Sequence, residues 1–159
     1  MALIDYVNRS YDVMAFQNVK PAGDTLLEYA LFDETTGGTI CTGIQKLAQR
    51  WLLEFMTETG SMPGLPTRGT RFMTAVRQGR LINTNSVAAA FIVNAYAAVI
   101  NLQKEETDKW PDDERIANAR LLGLAVLPGY ANLTIEITSR AGTIRQVILP
   151  VATLPEKMP

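Results

Sequence analysis

The longest segment without a helix breaker most constrains the fold. No glycine or proline occurs between Asn83 and Trp110, and Pro111 ends the segment. Asparagine, threonine and serine at residues 83–86 supply candidate N-caps, so the sequence predicts a helix over residues 85–108. Its first half is apolar on almost every side, and its second half is charged. We therefore expect other elements or a partner chain to enclose the first half, while the second half projects into solvent.

A second helix is indicated by apolar residues that recur every three or four positions after Thr42. These residues are Ile44, Leu47, Ala48, Trp51, Leu52 and Phe55. Polar residues take the opposite face, so we expect an amphipathic helix over residues 42–57. Residues 57–72 then read TETGSMPGLPTRGTRF, whose glycines and prolines exclude further helix. We interpret this stretch as a rigid connector between the two helices.

Strands are predicted on both sides of the helices. Residues 11–19 and 25–32 are rich in β-branched and aromatic side chains and flank a turn sequence, which predicts a hairpin. Leu133, Ile135 and Ile137 alternate with polar residues, as in a strand with one face in solvent. These three residues therefore belong to a strand near the end of the chain.

The closing segment is predicted to complete the sheet. Residues 139–142 form a hairpin loop, and residues 143–151 form the return strand. The resulting order, β-β-α-α-β-β-β, is typical of an α+β fold with two helices packed on one face of a mostly antiparallel sheet. We expect one domain, with an N-terminal hairpin extension at 1–39, a core at 40–151 and a polar tail at 152–159.

The composition excludes most catalytic schemes. Histidine is absent, which removes the commonest general base, the commonest neutral-pH metal ligand and every Ser–His or Cys–His pair. Cys41 is the only cysteine, so neither an intrachain disulfide nor a thiolate zinc cluster can form. We expect no catalytic residue, no cofactor and no bound metal.

Charge and hydropathy also limit the partners. The formal net charge is −1 and no lysine- or arginine-rich block occurs, so nucleic acid is not expected to bind. The longest apolar stretch, Val87 to Ile100, is shorter than the about 20 residues that a membrane span needs. We therefore expect a soluble protein.

One pair of acids is an enzymatic alternative. Glu54 and Glu58 are four positions apart and would share a helix face, and glycoside hydrolysis uses two carboxyl groups about 5–10 Å apart. Solvated acids near a helix end are the other interpretation. A peptidoglycan-cleaving glycosidase therefore remains an alternative function.

Other charged residues are candidates for ion pairs within the chain or for contacts with a partner protein. Arg68 and Arg71 could neutralise a carboxylate of a neighbour or of the acidic group near residues 112–114, or could simply face solvent. Glu114 and Arg115 could form a local charge pair or contact another chain.

The run GIQKLAQRWLLEFMTETGSMPGLPTRGTRFM resembles the core of the baseplate wedge proteins of contractile-tailed phages. This family was formerly labelled acidic or tail lysozyme and is also called GPW-like. Its members have a helix with a glutamine, an apolar segment, a glycine, a proline, and Gly-Thr or Gly-Ser before an aromatic residue. Here these elements correspond to Gln45 or Gln49, residues 55–57, Gly60, Pro66, Gly69-Thr70 and Phe72.

The resemblance extends over residues 40–150. The family's Glu-Pro-Arg motif, followed by an aliphatic residue, corresponds to Glu114, Arg115 and Ile116, with the proline displaced to Pro111. A tail or neck completion protein with a similar core is a further alternative.

What the resemblance implies is a structural protein and not an enzyme. Such a protein sits in the virion where the baseplate meets the central tail, after assembly in the host cytoplasm. Its partners would be other wedge proteins, the tail sheath protein, and the tail tube or hub. Several copies would surround the tail, with sixfold symmetry by family analogy.

This role requires a sheet edge that accepts a foreign strand and an apolar surface for neighbouring chains. Residues 131–151 are the expected edge, and the helices are the expected packing surface, although an ordinary core explains much of the same pattern. The partner-binding candidates are Arg68, Arg71, Phe91, Glu114, Arg115, Leu133, Ile135, Ile137 and Ile148.

Overall fold

A computed structural model describes residues 9–13, 16–19, 26–29 and 40–152 of the chain. It confirms the predicted α+β class, with helices and a three-stranded antiparallel sheet. The turn predicted at residues 20–24 and the tail beyond residue 152 lie outside the described residues.

The described residues form seven strands, three α-helices and one 3₁₀ turn. The strands are β1 (Asp12–Val13), β2 (Phe16–Val19), β3 (Leu26–Tyr29), β4 (Ile40–Cys41), β5 (Ile116–Leu127), β6 (Tyr130–Ser139) and β7 (Ile144–Ala152). The helices are α1 (Gly43–Met56), α2 (Phe72–Arg77) and α3 (Thr84–Glu105), and the 3₁₀ turn is Asp112–Glu114.

Helix α1 is the predicted amphipathic helix, and its apolar face is buried. Trp51 and Phe55 stack with ring centroids 4.8 Å apart, and Phe55 also contacts Phe72 and Phe91 at 4.5 and 5.4 Å. Such tilted and offset aromatic pairs add to the free energy gained from burial alone. The four rings form the centre of the core, where α1, α2 and α3 meet.

Helix α2 was not predicted. It is only six residues long, begins directly after the connector and ends before Gly79, whose φ of 65° suits a helix end. A helix of this length has no recognisable period, so its position comes from the packing of Phe72 into the core.

Helix α3 confirms the long helix, and a capping box fixes its first turn. Asn83 accepts a hydrogen bond from the Ser86 main-chain N–H, while the Ser86 hydroxyl accepts one from Asn83. One face is buried in the core; its residues are Val87, Phe91, Ala95, Ala98, Val99 and Leu102. The opposite face is exposed.

Length and composition alone would allow α3 to cross a membrane, and it is longer than the apolar stretch noted above. However, 39% of its most apolar window is buried within the protein. Burial against α1 and β5 explains the apolar residues on that side, as in the core helix of a globular domain.

The three-stranded sheet has the order β5-β6-β7, so β6 is central and β5 and β7 are the edges. Leu133, Ile135 and Ile137 lie on β6, are fully buried and point into the core. The expectation that these three residues bind a partner at a sheet edge is therefore wrong, because β6 is paired on both sides. Within residues 131–151, the edge is β7.

The two edges differ. Strand β7 contains Pro150, which lacks a main-chain donor, and β3 lies alongside it. Strand β5 has no strand on its outer side among the described residues, and register shifts interrupt its pairing between Ile116 and Asn118 and between Leu121 and Gly123. At its start, the Ile116 N–H donates to Glu106 and the Ile116 carbonyl accepts from Gln103.

The predicted N-terminal hairpin is confirmed in part, because Asp12 and Val13 pair with β4 and not within the hairpin. Strand β2 pairs antiparallel with β3, with Phe16 opposite Tyr29. Strand β1 pairs with β4, which directly precedes α1. The N-terminal extension is thus joined to the core through β4.

Candidate functional site

A buried carboxylate holds the start of α1. Glu114 accepts hydrogen bonds from the Gly43 N–H at 3.2 Å, the Thr42 hydroxyl at 3.0 Å and the Lys46 ammonium at 3.0 Å. Thr42 makes no side-chain cap of its own, so Glu114 caps α1 from a distant part of the chain. A negative charge at a helix N-terminus is also favoured by the helix dipole.

These contacts set the ionisation of Glu114. Burial by itself raises the pKa of this carboxyl, but the hydrogen bonds from Lys46, Gly43 and Thr42 and the charge of Lys46 together lower it below its ordinary value. Glu114 is therefore ionised near neutral pH. It is fully enclosed and cannot contact another chain, so its assignment as a partner-binding residue is wrong.

Arg115 belongs to a different charge group. Its guanidinium pairs with Asp108 at 2.8 Å and with Asp112 at 3.2 Å, and it is mostly buried. A local pair between Glu114 and Arg115 was one expectation, and the structure replaces it by Lys46–Glu114 and Arg115–Asp108. Glu114 and Arg115 are adjacent in sequence but form ion pairs with different partners.

Arg50 and Glu106 form a third, looser pair in the same region. Their closest nitrogen and oxygen are 3.8 Å apart, and the Arg50 guanidinium lies 4.4 Å from the centroid of the Trp110 ring. Burial raises the pKa of Glu106, an effect that the Ile116 N–H and Arg50 only partly oppose. Burial likewise lowers the pKa of Arg50.

The connector between α1 and α2 is closed around Glu54. This carboxylate accepts hydrogen bonds from Arg68 Nε and the Gly69 N–H, each at 2.7 Å, and from Asn101 Nδ2 at 2.8 Å. Main-chain bonds from Thr70 N to Thr57 O and from Thr59 N to Thr70 O join the two ends of the loop. The stretch is therefore a closed surface loop fixed to α3.

Glu54 and Glu58 do not share a helix face as the enzymatic alternative expected. Helix α1 ends at Met56, so the two acids do not share a helix face. Glu54 is buried with its partners in place, and Glu58 accepts from the Thr74 hydroxyl at 2.5 Å and pairs with Arg77. Both carboxylates hold the connector and α2 to the core.

Replacing Gly69 by alanine tests the closure of this loop. Gly69 has a φ of 87°, and an added Cβ would lie 2.4 Å from the Thr57 carbonyl oxygen. The left-handed conformation alone costs a side-chain residue about 1–3 kcal/mol, and the clash adds to it. Gly64→Ala is the matched control, because its φ is 80° but nothing lies within 4 Å of an added Cβ. Urea denaturation should show a larger loss of stability for Gly69→Ala; equal losses would contradict this account.

The two arginines predicted to face a partner differ in the structure. Arg68 pairs with Glu54 and with Glu105, so its charge is used within the chain. Arg71 is exposed, and its main-chain N–H donates to Asn94 Oδ1 at 2.9 Å. No ion pair of the Arg71 guanidinium occurs within the described part of the chain.

The remaining apolar candidates divide by exposure. Phe91 is buried among the core aromatic rings, so its assignment as a partner contact is wrong. Ile148 lies on the edge strand β7 opposite Thr134 and is half-buried. Of these two residues, only Ile148 presents surface.

The sequence predicted α3 as a packing surface but did not indicate which of its residues are exposed. Ile92, Val93 and Tyr96 are 63%, 69% and 68% exposed, and we call them the α3 patch. Ile92 and Tyr96 also line a groove of about 450 Å³ between α3 and residues 118–121 of β5. Because the helix is apolar on nearly all sides, its periodicity did not distinguish the buried face from the exposed one.

Cys41 and the acidic residues do not form a reactive or metal-binding centre in the described part of the chain. Burial, helped by the nearby Asp12, raises the pKa of the Cys41 thiol to about 11, so the thiol is protonated at neutral pH. Within the ranges that the structure describes, no three cysteine or acidic side chains are grouped as metal ligands.

Comparison of the chain with models of protein families, with curated proteins and with solved structures finds no match.

Proposed function

We propose that the protein is a non-enzymatic component of the baseplate of a contractile phage tail. In this role it joins wedge proteins around the central tail and nucleates sheath assembly by strand pairing. The observation that carries the proposal is the α3 patch, which places three large apolar side chains in solvent beside β5, an edge strand of the described part of the sheet. Apolar residues exposed together are typical of protein–protein contact surfaces.

The sheet supplies the second requirement of the role. Two edge strands flank the buried β6, and an extended segment of another chain can add to such an edge through main-chain hydrogen bonds. Strand β5 is the more accessible candidate, since β7 contains Pro150 and lies beside β3. We therefore propose β5 as the pairing edge in place of the expected residues 131–151, within which β7 is the second candidate.

The double substitution Val93→Glu and Tyr96→Glu tests the apolar contact. Both side chains are mostly exposed, so the folded chain should lose no more than about 0.5 kcal/mol of stability. Two buried carboxylates at an apolar interface are costly, so we expect assembled baseplates to fall at least about tenfold. The measurement is electron-microscopic counting of tails after co-expression with the wedge and sheath proteins.

The matched control is Met62→Glu with Leu65→Glu, which makes the same change at two exposed connector residues. This control should assemble normally. Normal assembly of the α3 variant, or an equal loss in the control, would contradict the proposed contact. A structure of the assembled tail at side-chain resolution in which both sheet edges face solvent would contradict the strand pairing. Peptidoglycan cleavage by the purified chain would contradict the non-enzymatic role.

A further inference from the structure

The segment around α2 contains more arginines than the nearby acids pair with. Residues 67–80 contain Arg68, Arg71, Arg77 and Arg80 and no aspartate or glutamate. Arg68 pairs with Glu54 and Glu105, and Arg77 pairs with Glu58. These pairs use the neighbouring carboxylates of the described chain and leave Arg71 and Arg80 without an ion pair there.

The two remaining arginines line one pocket. Its volume is about 390 Å³, and Thr59, Thr74, Gln78 and Asn94 complete its polar lining. Asn94 of α3 fixes the Arg71 main chain, and the Arg80 N–H donates to the Ala75 carbonyl oxygen at 3.0 Å. Both guanidiniums are thus attached to main-chain segments that hydrogen bonds hold in place, Arg71 directly before α2 and Arg80 shortly after it.

The donors that remain determine the ligand class. The nearby main-chain N–H groups of Arg71, Gln78, Gly79 and Arg80 are all hydrogen-bonded within the chain. Phosphate sites commonly use a cradle of free main-chain N–H groups, and these four groups are not free to form one. An arginine guanidinium group instead matches the planar carboxylate and can donate two parallel hydrogen bonds to it.

We propose that the pocket between Arg71 and Arg80 binds an aspartate or glutamate side chain of another protein. This site goes beyond the proposed function, because it concerns a polar contact on α2 and not the α3 patch or a sheet edge. Two guanidiniums with no extended basic track favour an acidic peptide segment over a nucleic acid.

The test uses the full chain and follows the arginine Nε–Hε signals by NMR at constant ionic strength. Hexaglutamate, inorganic phosphate and a single-stranded oligonucleotide are titrated separately. We expect hexaglutamate to shift the Arg71 and Arg80 signals saturably, and to bind more tightly than either other probe. The double variant Arg71→Gln/Arg80→Gln should weaken hexaglutamate binding at least about tenfold, as expected for the loss of charge-assisted hydrogen bonds.

Arg140→Gln/Arg145→Gln is the matched control, since it removes the same charge at the β6–β7 hairpin and on β7. The control should bind hexaglutamate as the unaltered chain does. Equal weakening in both variants, or tighter binding of phosphate or the oligonucleotide, would overturn the proposal, as would the absence of a saturable shift. None of these results depends on tail assembly, so this proposal and the proposed function can fail separately.

Discussion

Phe55→Ala is expected to lower the free energy of unfolding by about 3–5 kcal/mol, as buried phenylalanine truncations generally do. The Phe55 ring is 0% exposed and contacts Trp51, Phe72 and Phe91, which come from three helices. Its removal leaves a cavity that three separate elements would have to move to fill. Urea denaturation followed by circular dichroism measures the loss.

The control for this prediction is Leu53→Ala on the same helix. Leu53 is 43% exposed, so its truncation should cost much less than that of Phe55. A loss below about 1 kcal/mol for Phe55→Ala would show that the core collapses around the missing ring, contrary to the packing described here.

Lys46→Met is expected to destabilise the chain by up to about 3–5 kcal/mol, the usual cost of removing one partner of a buried ion pair. Glu114 would keep its hydrogen bonds from Gly43 and Thr42 and the Arg9 guanidinium 3.8 Å away, but would lose the ammonium at 3.0 Å. Replacing both partners, as Lys46→Met with Glu114→Leu, should cost less than the sum of the two single changes, as a double-mutant cycle would measure. Additive losses would contradict direct coupling.

The same pair predicts a pH dependence of stability. Because the pKa of Glu114 is lower in the folded chain than the about 4.3 of an unfolded one, its stabilisation is present above that pH and is lost as pH falls through the folded pKa. Glu106 has the opposite sign: its raised pKa gives stability below the unfolded pKa that is lost as pH rises through the folded pKa. Glu106→Gln should therefore steepen the loss of stability in acid, and Lys46→Met should weaken it. Thermal unfolding between about pH 3 and 7 distinguishes these outcomes.

Periodicity predicted the elements that have one apolar and one polar face, although the polar face of β6 is itself covered at Glu136. The apolar positions from Ile44 to Phe55 and the alternation from Leu133 to Ile137 correctly identified α1 and β6. Helix α2 was too short to leave such a pattern. The position of β6 in the centre of the sheet was also not predictable, because strand order depends on pairing between distant segments.

The candidate site was predicted less well, for two physical reasons. The contact between Lys46 and Glu114 spans 68 residues, so no local spacing indicates it. Phe91 and Tyr96 are both aromatic and lie on the same helix, yet only Tyr96 is exposed. Side-chain chemistry could not determine which of them faces the core; the positions of α1 and β5 determine it.

The hydrogen bonds at Ile116 limit how any additional strand can align with β5. Glu106 and Gln103 already occupy the main-chain N–H and carbonyl of that residue, so an incoming strand finds its first free groups farther along. About ten residues remain, or roughly 33 Å at about 3.3 Å per residue. The irregular pairing at Asn118 and Gly123 further restricts sliding, since a slip of one residue would turn every side chain of the guest to the opposite face. The outer edge of β5 can therefore pair only with a short strand, and only in a restricted set of registers.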